Sequence, residues 1–358
     1  MRTTCVRAIL FGVLAAALAF PPGDVLVLAR QRPQNPPQEQ KKEKPEGEFQ
    51  LSVEVPLVNV DVVITDNNGN FLDGLRRENF RVLEDGVPQT ITNFAPTDTP
   101  ITMVLLIEFS KLGQGIYSYY STAMAQDFLR QLKPEDWIAL VSYDLRTRIE
   151  VDFTRDKMEV QRTLMGMYFP GFTEACIFDA VLETLDRLQD VKGKKSILIL
   201  GTGMDTFSKK TLDDVLKRLR ETDVTIYTVV AGKAYMEYLD SSGRFSGTWG
   251  FVGRMNLLQA ENQMRAFASM TGGRAWAPRF EGQWPGIFAD VAASLRNQYS
   301  IGYSPSNRTR DGKLRKIKVQ LVDSSGAPLV VQDQKGKKVK YVIYAREGYL
   351  APKPGISD

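Results

Sequence analysis

The sequence predicts an α/β protein, a doubly wound domain set between two β segments, and three observations carry that reading. Between 51 and 94 apolar residues recur with period two, at Val53, Val55 and Leu57 and then at Val58, Val60, Val62 and Ile64, the alternation of half-buried strands. After Pro100 the texture changes to unbroken apolar strands separated by amphipathic helical stretches, as in a mostly parallel sheet covered on both faces. From Gln298 onward short strands return.

Taken in order, the chain opens with Arg2 and Arg7 ahead of an apolar run from Ala8 to Phe20, with small-residue cleavage patterns at Ala17-Leu-Ala19 and near Ala29. That layout predicts a secretory signal peptide over 1–29. An uncleaved anchor reaching Leu28 is the alternative, and no other stretch is apolar enough to span a bilayer. Cys5 precedes the apolar run, so the order of a lipoprotein leader is absent. Residues 30–48 combine prolines, Gln and Lys with nothing apolar to bury, which predicts a disordered linker.

The N-terminal β segment, 49–97, reads as short strands broken by turns at Asp66-Asn-Asn-Gly-Asn70 and Glu84-Asp-Gly-Val-Pro88. The doubly wound, Rossmann-like domain follows over 98–297. Its strands are expected at 101–109, 137–143, 149–153, 196–200, 224–230 and 274–277, and its helices at 115–132, 156–167, 173–189, 212–221, 256–270 and 285–296. Thr211 with Asp213 and Asp214 is a helix-start signature, and Gly272-Gly273 is a helix stop. The C-terminal β segment, 298–352, carries strands at 298–303, 315–323 and 340–345 and is expected to pack with 49–97 as a small β-sandwich. Ligands of doubly wound sheets sit at the carboxyl ends of the strands, so the loops to inspect are 108–114, 170–176 and 201–208.

Composition removes much chemistry. The chain has no histidine, which excludes Ser-His-Asp and Cys-His catalysis and His-ligated zinc. Its two cysteines are Cys5, inside the leader, and Cys176, which reads as a small buried hydrophobe between Ala175 and Ile177. A net charge of +4, from 46 Lys+Arg against 42 Asp+Glu, gives no reason to expect nucleic acid. The basic run from Arg308 to Lys318 alternates along a strand and reads as a solvent face. Carboxylate pairs such as Asp213/Asp214 are helix-start charges, and Gly201-x-Gly203 lacks the rest of a dinucleotide fingerprint. No nucleophile motif appears, so no enzyme activity and no small-molecule substrate are expected.

Tyr117, Tyr119 and Tyr120 open the first long helix. They cannot all face inward, and an exposed aromatic patch there would suit a protein partner. The Gly/Ser-rich, aromatic loop 231–251 follows a strand at the same edge, and a loop of that length is either functional or a disordered insertion.

The three loops resemble those of von Willebrand factor type A (vWA) domains. Two flanking stretches narrow the resemblance to the acidobacterial VWFA-related family of exported proteins: Val58-Asn-Val-Asp-Val-Val-Ile-Thr-Asp66 through Leu75-Arg-Arg-Glu-Asn-Phe-Arg-Val-Leu-Glu-Asp-Gly86, and Gln298-Tyr-Ser-Ile-Gly-Tyr303 with Asp311-Gly-Lys-Leu-Arg-Lys-Ile-Lys-Val319 and Ala345-Arg-Glu-Gly-Tyr-Leu-Ala-Pro352. The resemblance spans most of the chain beyond the leader.

It implies a metal-ion-dependent adhesion site, in which Asp-x-Ser-x-Ser, a Thr and a further Asp supply hard oxygen ligands to Mg²⁺. This chain departs from that pattern at each loop. Glu108 stands for the Asp, Ser110 survives, and Leu112 replaces the last Ser; Ala175 falls at the Thr position unless a shift makes Thr173 the ligand. The third loop, Gly201-Thr-Gly-Met-Asp205, has Thr202 for the metal-proximal Asp. Lys111 adds an ammonium to the first loop, which would oppose a dication if it pointed inward.

The expectation is therefore an exported, non-enzymatic protein-protein interaction module with a degenerate metal site and no resident cofactor. Lys111, Tyr117, Tyr119, Tyr120 and Thr202 are expected at the partner surface. The alternative is a divalent-cation-dependent adhesion protein in which Glu108, Ser110, Thr173 and Asp205 form an altered Mg²⁺ site. Once its leader is cleaved the protein has no membrane span, and its destination is periplasm, cell surface or medium.

Overall fold

The computed structural model describes residues 57–96, 100–111, 117, 121–167, 169–232, 248–332 and 336–354. The expected signal peptide, linker and first strand residues 49–56, with Tyr119, Tyr120 and most of the loop 231–251, lie outside the described residues.

The described chain enters through β1 (Val58–Asp66), β2 (Phe80–Glu84), β3 (Val87–Gln89) and β4 (Ile91–Pro96). It then builds a central sheet from β5 (Ile101–Glu108), β6 (Trp137–Tyr143), β7 (Thr147–Thr154), β8 (Lys194–Gly201), β9 (Thr225–Val230) and β10 (Ala275–Trp276). It leaves through β11 (Gln298–Tyr303), β12 (Leu314–Leu321), the pair β13 (Val331–Gln332) and β14 (Lys338–Val339), β15 (Tyr341–Ala345) and β16 (Gly348–Leu350). The helices are α1 (Lys157–Gly166), α2 (Ile177–Arg187), α3 (Leu212–Glu221), α4 (Thr248–Thr271) and α5 (Trp284–Arg296).

The central sheet runs β10-β9-β8-β5-β6-β7. Its strands are parallel except for β7, which returns antiparallel to β6 as a hairpin and closes one edge. Alternate residues of β5 serve opposite layers. Met103, Leu105 and Ile107 pack with Val160 and Leu164 of α1 and with Phe288, Val291 and Leu295 of α5. Val104 and Leu106 pack with Val181 and Leu185 of α2, Val215 and Leu219 of α3, and Met264 and Phe267 of α4. Burial on both faces is why this strand reads as one unbroken apolar run.

The helix ends follow their sequence signals. Asp156 caps α1 by accepting from the N–H groups of Met158 and Glu159, and Thr211 forms a capping box with Asp214 at the start of α3. At the far end of α4, Gly272 has φ +84°, its N–H donates to Ser269 O at 3.3 Å, and that of Gly273 donates to Ala268 O at 2.9 Å. These two bonds close a Schellman turn at the predicted stop.

Three elements depart from expectation. Where a regular helix was expected over 115–132, the described part winds as a π-helix at Met124–Phe128 and tightens to a 3₁₀ turn at Leu129–Gln131. Met124, Phe128 and Leu129 all reach the same core through that change of pitch. α2 starts at Ile177, because residues 170–176 form a loop instead of its first turn. α4 begins at Thr248, ahead of the expected 256, despite Gly250 and Gly253; glycines weaken a helix signal that tertiary structure can override.

The flanking segments build two four-stranded sheets, β15-β1-β11-β4 and β16-β12-β2-β3. Both join N-terminal to C-terminal strands: Val60 lies opposite Ile301, and Val82 opposite Val319. Their facing side chains, among them Val60, Val62, Phe80, Val82, Ile301 and Val319, share one core. The architecture is the predicted one, a doubly wound domain plus a β-sandwich formed by the flanking strands.

Candidate functional site

The sheet order reverses at β5: the chain proceeds from β5 to β6 on one side and later places β8 on the other. Loops leaving neighbouring strands in opposite directions open a crevice at their carboxyl ends. Glu108, the last residue of β5, and Gly201, the last of β8, face each other there.

Glu108 is fully buried. Its Oε1 accepts from Ser110 Oγ at 2.8 Å, and its Oε2 accepts from the Thr202 N–H at 2.6 Å and from Thr202 Oγ1 at 2.8 Å. Burial raises the carboxyl pKa above the ordinary glutamate value, against the opposing pull of these hydrogen bonds. Gly201 makes the arrangement possible: a Cβ there would lie 2.6 Å from Glu108 Oε2 and 2.8 Å from the Tyr143 hydroxyl. Tyr143, at the end of β6, is fully buried, and among the described residues its hydroxyl has no hydrogen-bond partner. Burial and then the nearby Glu108 and Asp205 carboxyl groups push its pKa well up.

Hydrogen bonds lock the other loops together. Thr206 accepts from the Ala175 N–H at 2.8 Å, and its own N–H donates to Ala175 O at 2.9 Å. Asp205 accepts from Ser208 Oγ and, at 3.4 Å, from the N–H of Phe178 in the first turn of α2. Asp179 accepts from the N–H groups of Lys209 and Lys210 at 3.0 and 2.9 Å. The Lys111 N–H donates to Phe172 O at 2.8 Å, and that of Cys176 to Asp144 O at 2.8 Å. Asp144 forms a two-pronged pair with Arg148 at 2.9 and 2.6 Å.

Of the four residues considered for a Mg²⁺ site, the structure unites Glu108 and Ser110, ties Asp205 to Ser208 and α2, and leaves Thr173 exposed. Among the described residues no three acidic, cysteine or histidine side chains converge as metal ligands. A hard dication needs several charged or strongly polar oxygens turned toward one point. The residues present do not fit one: both oxygens of Glu108 are engaged by Ser110 and Thr202, and burial favours its neutral form.

The expected partner surface is also revised. Tyr117 is 6% exposed; its hydroxyl donates to Leu164 O at 2.6 Å, and its ring meets Phe109 edge-on at 4.9 Å. It belongs to the core beneath β5. Thr202 is fully buried beside Glu108. Lys111 is exposed, as anticipated.

Sequence reasoning missed three aromatic residues at this edge: Phe169, Phe172 and Phe207, which are 87%, 37% and 69% exposed. Arg146 lies over the Phe172 ring, 5.9 Å from its centre. The available signal was position, since Phe169-Pro-Gly-Phe172 and Thr206-Phe-Ser208 put large rings into turn-forming segments. At the same edge a cavity of about 320 Å³ lies between Met204, Asp205 and Thr206 on one side and Asn256, Gln259 and Gln263 of α4 on the other.

No family model matches the chain, and no curated protein matches it. Solved structures give partial likenesses. BatB, a conserved hypothetical protein from Bacteroides thetaiotaomicron, is 11% identical, with 55% of this chain and 99% of that one covered and a TM-score of 0.41. The vWF domain of the type V pili tip protein Mfa5 from Porphyromonas gingivalis is 13% identical, covering 56% and 96% at a TM-score of 0.37. Proximal thread matrix protein 1 from the mussel byssus, with a zinc-occupied MIDAS motif, is 13% identical over 60% of this chain and 50% of that one, at a TM-score of 0.42.

Proposed function

We propose that the chain is an exported, non-enzymatic protein-interaction module of the acidobacterial VWFA-related type, which meets its partner at the carboxyl edge of its doubly wound sheet without a bridging metal. One observation carries the reading: at the edge where such folds bind, the carboxyl group of Glu108 is turned inward and engaged while Phe169 and Phe207 stand out in solvent. Large exposed aromatic side chains at such an edge mark contact surfaces more often than ordinary surface. Export rests on the leader-like 1–29, and among the described residues no helix is long and apolar enough to cross a membrane.

The test uses Phe169→Ser with Phe207→Ser. Both side chains are exposed, so the melting temperature is expected to stay within a few degrees of the parent, while capture of partners from an envelope extract of the native cells falls by about tenfold or more. Capture that survives the double substitution, or that EDTA abolishes, would overturn the reading.

A further inference from the structure

Outward- and inward-facing charges are segregated at this edge. Lys111, Arg146, Lys209 and Lys210 are exposed, and none forms a close salt bridge among the described residues, although Lys210 lies within electrostatic reach of Asp214. The carboxyl groups of the same loops are occupied: Glu108 by Ser110 and Thr202, Asp144 by Arg148, Asp205 by Ser208, and Asp179 by the backbone of Lys209 and Lys210. Glu174 is the remaining one and is half-buried. The cations share these loops with the exposed rings. Lys111 is joined through its backbone to Phe172, Arg146 covers that ring, and Lys209 and Lys210 follow Phe207 in sequence.

We infer that this edge recognises an acidic, apolar-anchored protein segment: Asp or Glu side chains set against Lys111 and Arg146, with a neighbouring aromatic or aliphatic side chain seated by Phe172 and Phe207. The inference rests on the interaction reading above and adds the partner's chemistry. Fixed cations with complementary charge steer and select a partner, and the rings supply the dehydrated contact that exposed ion pairs lack. A protein segment suits the edge better than a lipid surface because the adjoining cavity presents the side-chain amides of Asn256, Gln259 and Gln263, which can satisfy a peptide backbone.

Random peptides displayed on phage would be selected on the full chain in EDTA. Enriched peptides are expected to be net negative with at least one aromatic or aliphatic residue. Lys111→Glu with Arg146→Glu should weaken the best of them about tenfold or more, as should raising NaCl from 0.05 to 0.5 M, which shortens the screening length severalfold. Circular dichroism melts of the variants are expected to match the parent, since both residues are exposed. Enriched peptides that are neutral or basic, yet lost with Phe169→Ser and Phe207→Ser, would overturn the charge assignment and leave the interaction reading standing. Peptides insensitive to every edge substitution, or none enriched at all, would overturn both. Preferential binding of anionic vesicles over acidic peptides, abolished by the same charge reversal, would replace the protein segment by a membrane surface.

Discussion

Glu84 in the sandwich and Glu108 at the carboxyl edge are both buried, and the company each keeps separates a group that holds the fold together from one that closes a site. Glu84 sits among apolar strands, where the hydroxyls of Tyr303 and Tyr349 donate to its Oε2 at 2.7 and 3.0 Å while Oε1 has no partner among the described residues. Those partners come from 219 and 265 residues away, so one side chain fastens the C-terminal strands to the N-terminal ones. Glu108 has both oxygens engaged, by Ser110 two residues on and by Thr202 across the crevice. It secures loops that the sheet already places, and what it changes is the chemistry offered to a ligand. Burial alone therefore says little about role; the sequence distance of the partners and the free valence say more.

The comparison breaks most visibly at Glu84. Glu84→Ala would leave two tyrosine hydroxyls without their acceptor inside the sandwich, and loss of a buried hydrogen-bonded group is expected to lower stability by about 3 kcal/mol. Glu84→Gln keeps an oxygen acceptor and should cost clearly less. Urea unfolding of the parent and both variants measures the difference. If alanine costs under about 1 kcal/mol, strand pairing and apolar packing hold the two segments together without it.

A smaller effect, of opposite sign, is expected at Glu108. Its pKa is raised in the folded protein, so the native state keeps a proton that the unfolded chain has lost once the pH exceeds the ordinary value of 4.5. Stability from this group is complete below that value and declines as pH rises through the folded pKa. Glu108→Gln removes the titration, and its amide oxygen can still accept from Thr202 while its amide nitrogen faces Ser110. The variant should match the parent near pH 4 and exceed it in stability at pH 7. Denaturant melts at a series of pH values would show a flatter profile; an unchanged slope would mean that Glu108 is ionised in the fold.

These two sites also mark how far the sequence could be read. The sandwich was legible because period-two alternation in Val58–Asp66 and in Leu314–Leu321 assigns each side chain to a face, and the unbroken apolar run of Ile101–Glu108 announces a strand covered on both sides. That Leu112, Ala175 and Thr202 stand where the resembled pattern has other oxygen ligands was visible as substitutions. What replaced them was not. That Thr202 would bond Glu108 depends on Gly201 leaving room for the carboxyl group, a distance no periodicity encodes. Tyr117 was misplaced because one helical turn of tyrosines gives no orientation once the helix changes pitch at Met124–Phe128. Phe169 and Phe207 were overlooked because an aromatic residue in a turn is read by default as part of a core.

The smallest expected effect bears hardest on the edge. If Glu108 and Thr202 have closed the metal position, millimolar Mg²⁺, Mn²⁺ or Ca²⁺ should leave the melting midpoint of the chain where EDTA puts it. The absence of a shift is informative because a cation held a hundredfold above its dissociation constant stabilises the native state by about 2.7 kcal/mol, a displacement of several degrees. A rise specific to one cation would require the Glu108 carboxyl group to leave Thr202 and turn toward the crevice, and Glu108→Ala should then abolish it. That pair of results would restore a metal-bridged contact at this edge and remove the reason for its rim of exposed cations. A midpoint indifferent to cations in both parent and variant would leave Lys111 and Arg146 as the positive charges a partner meets.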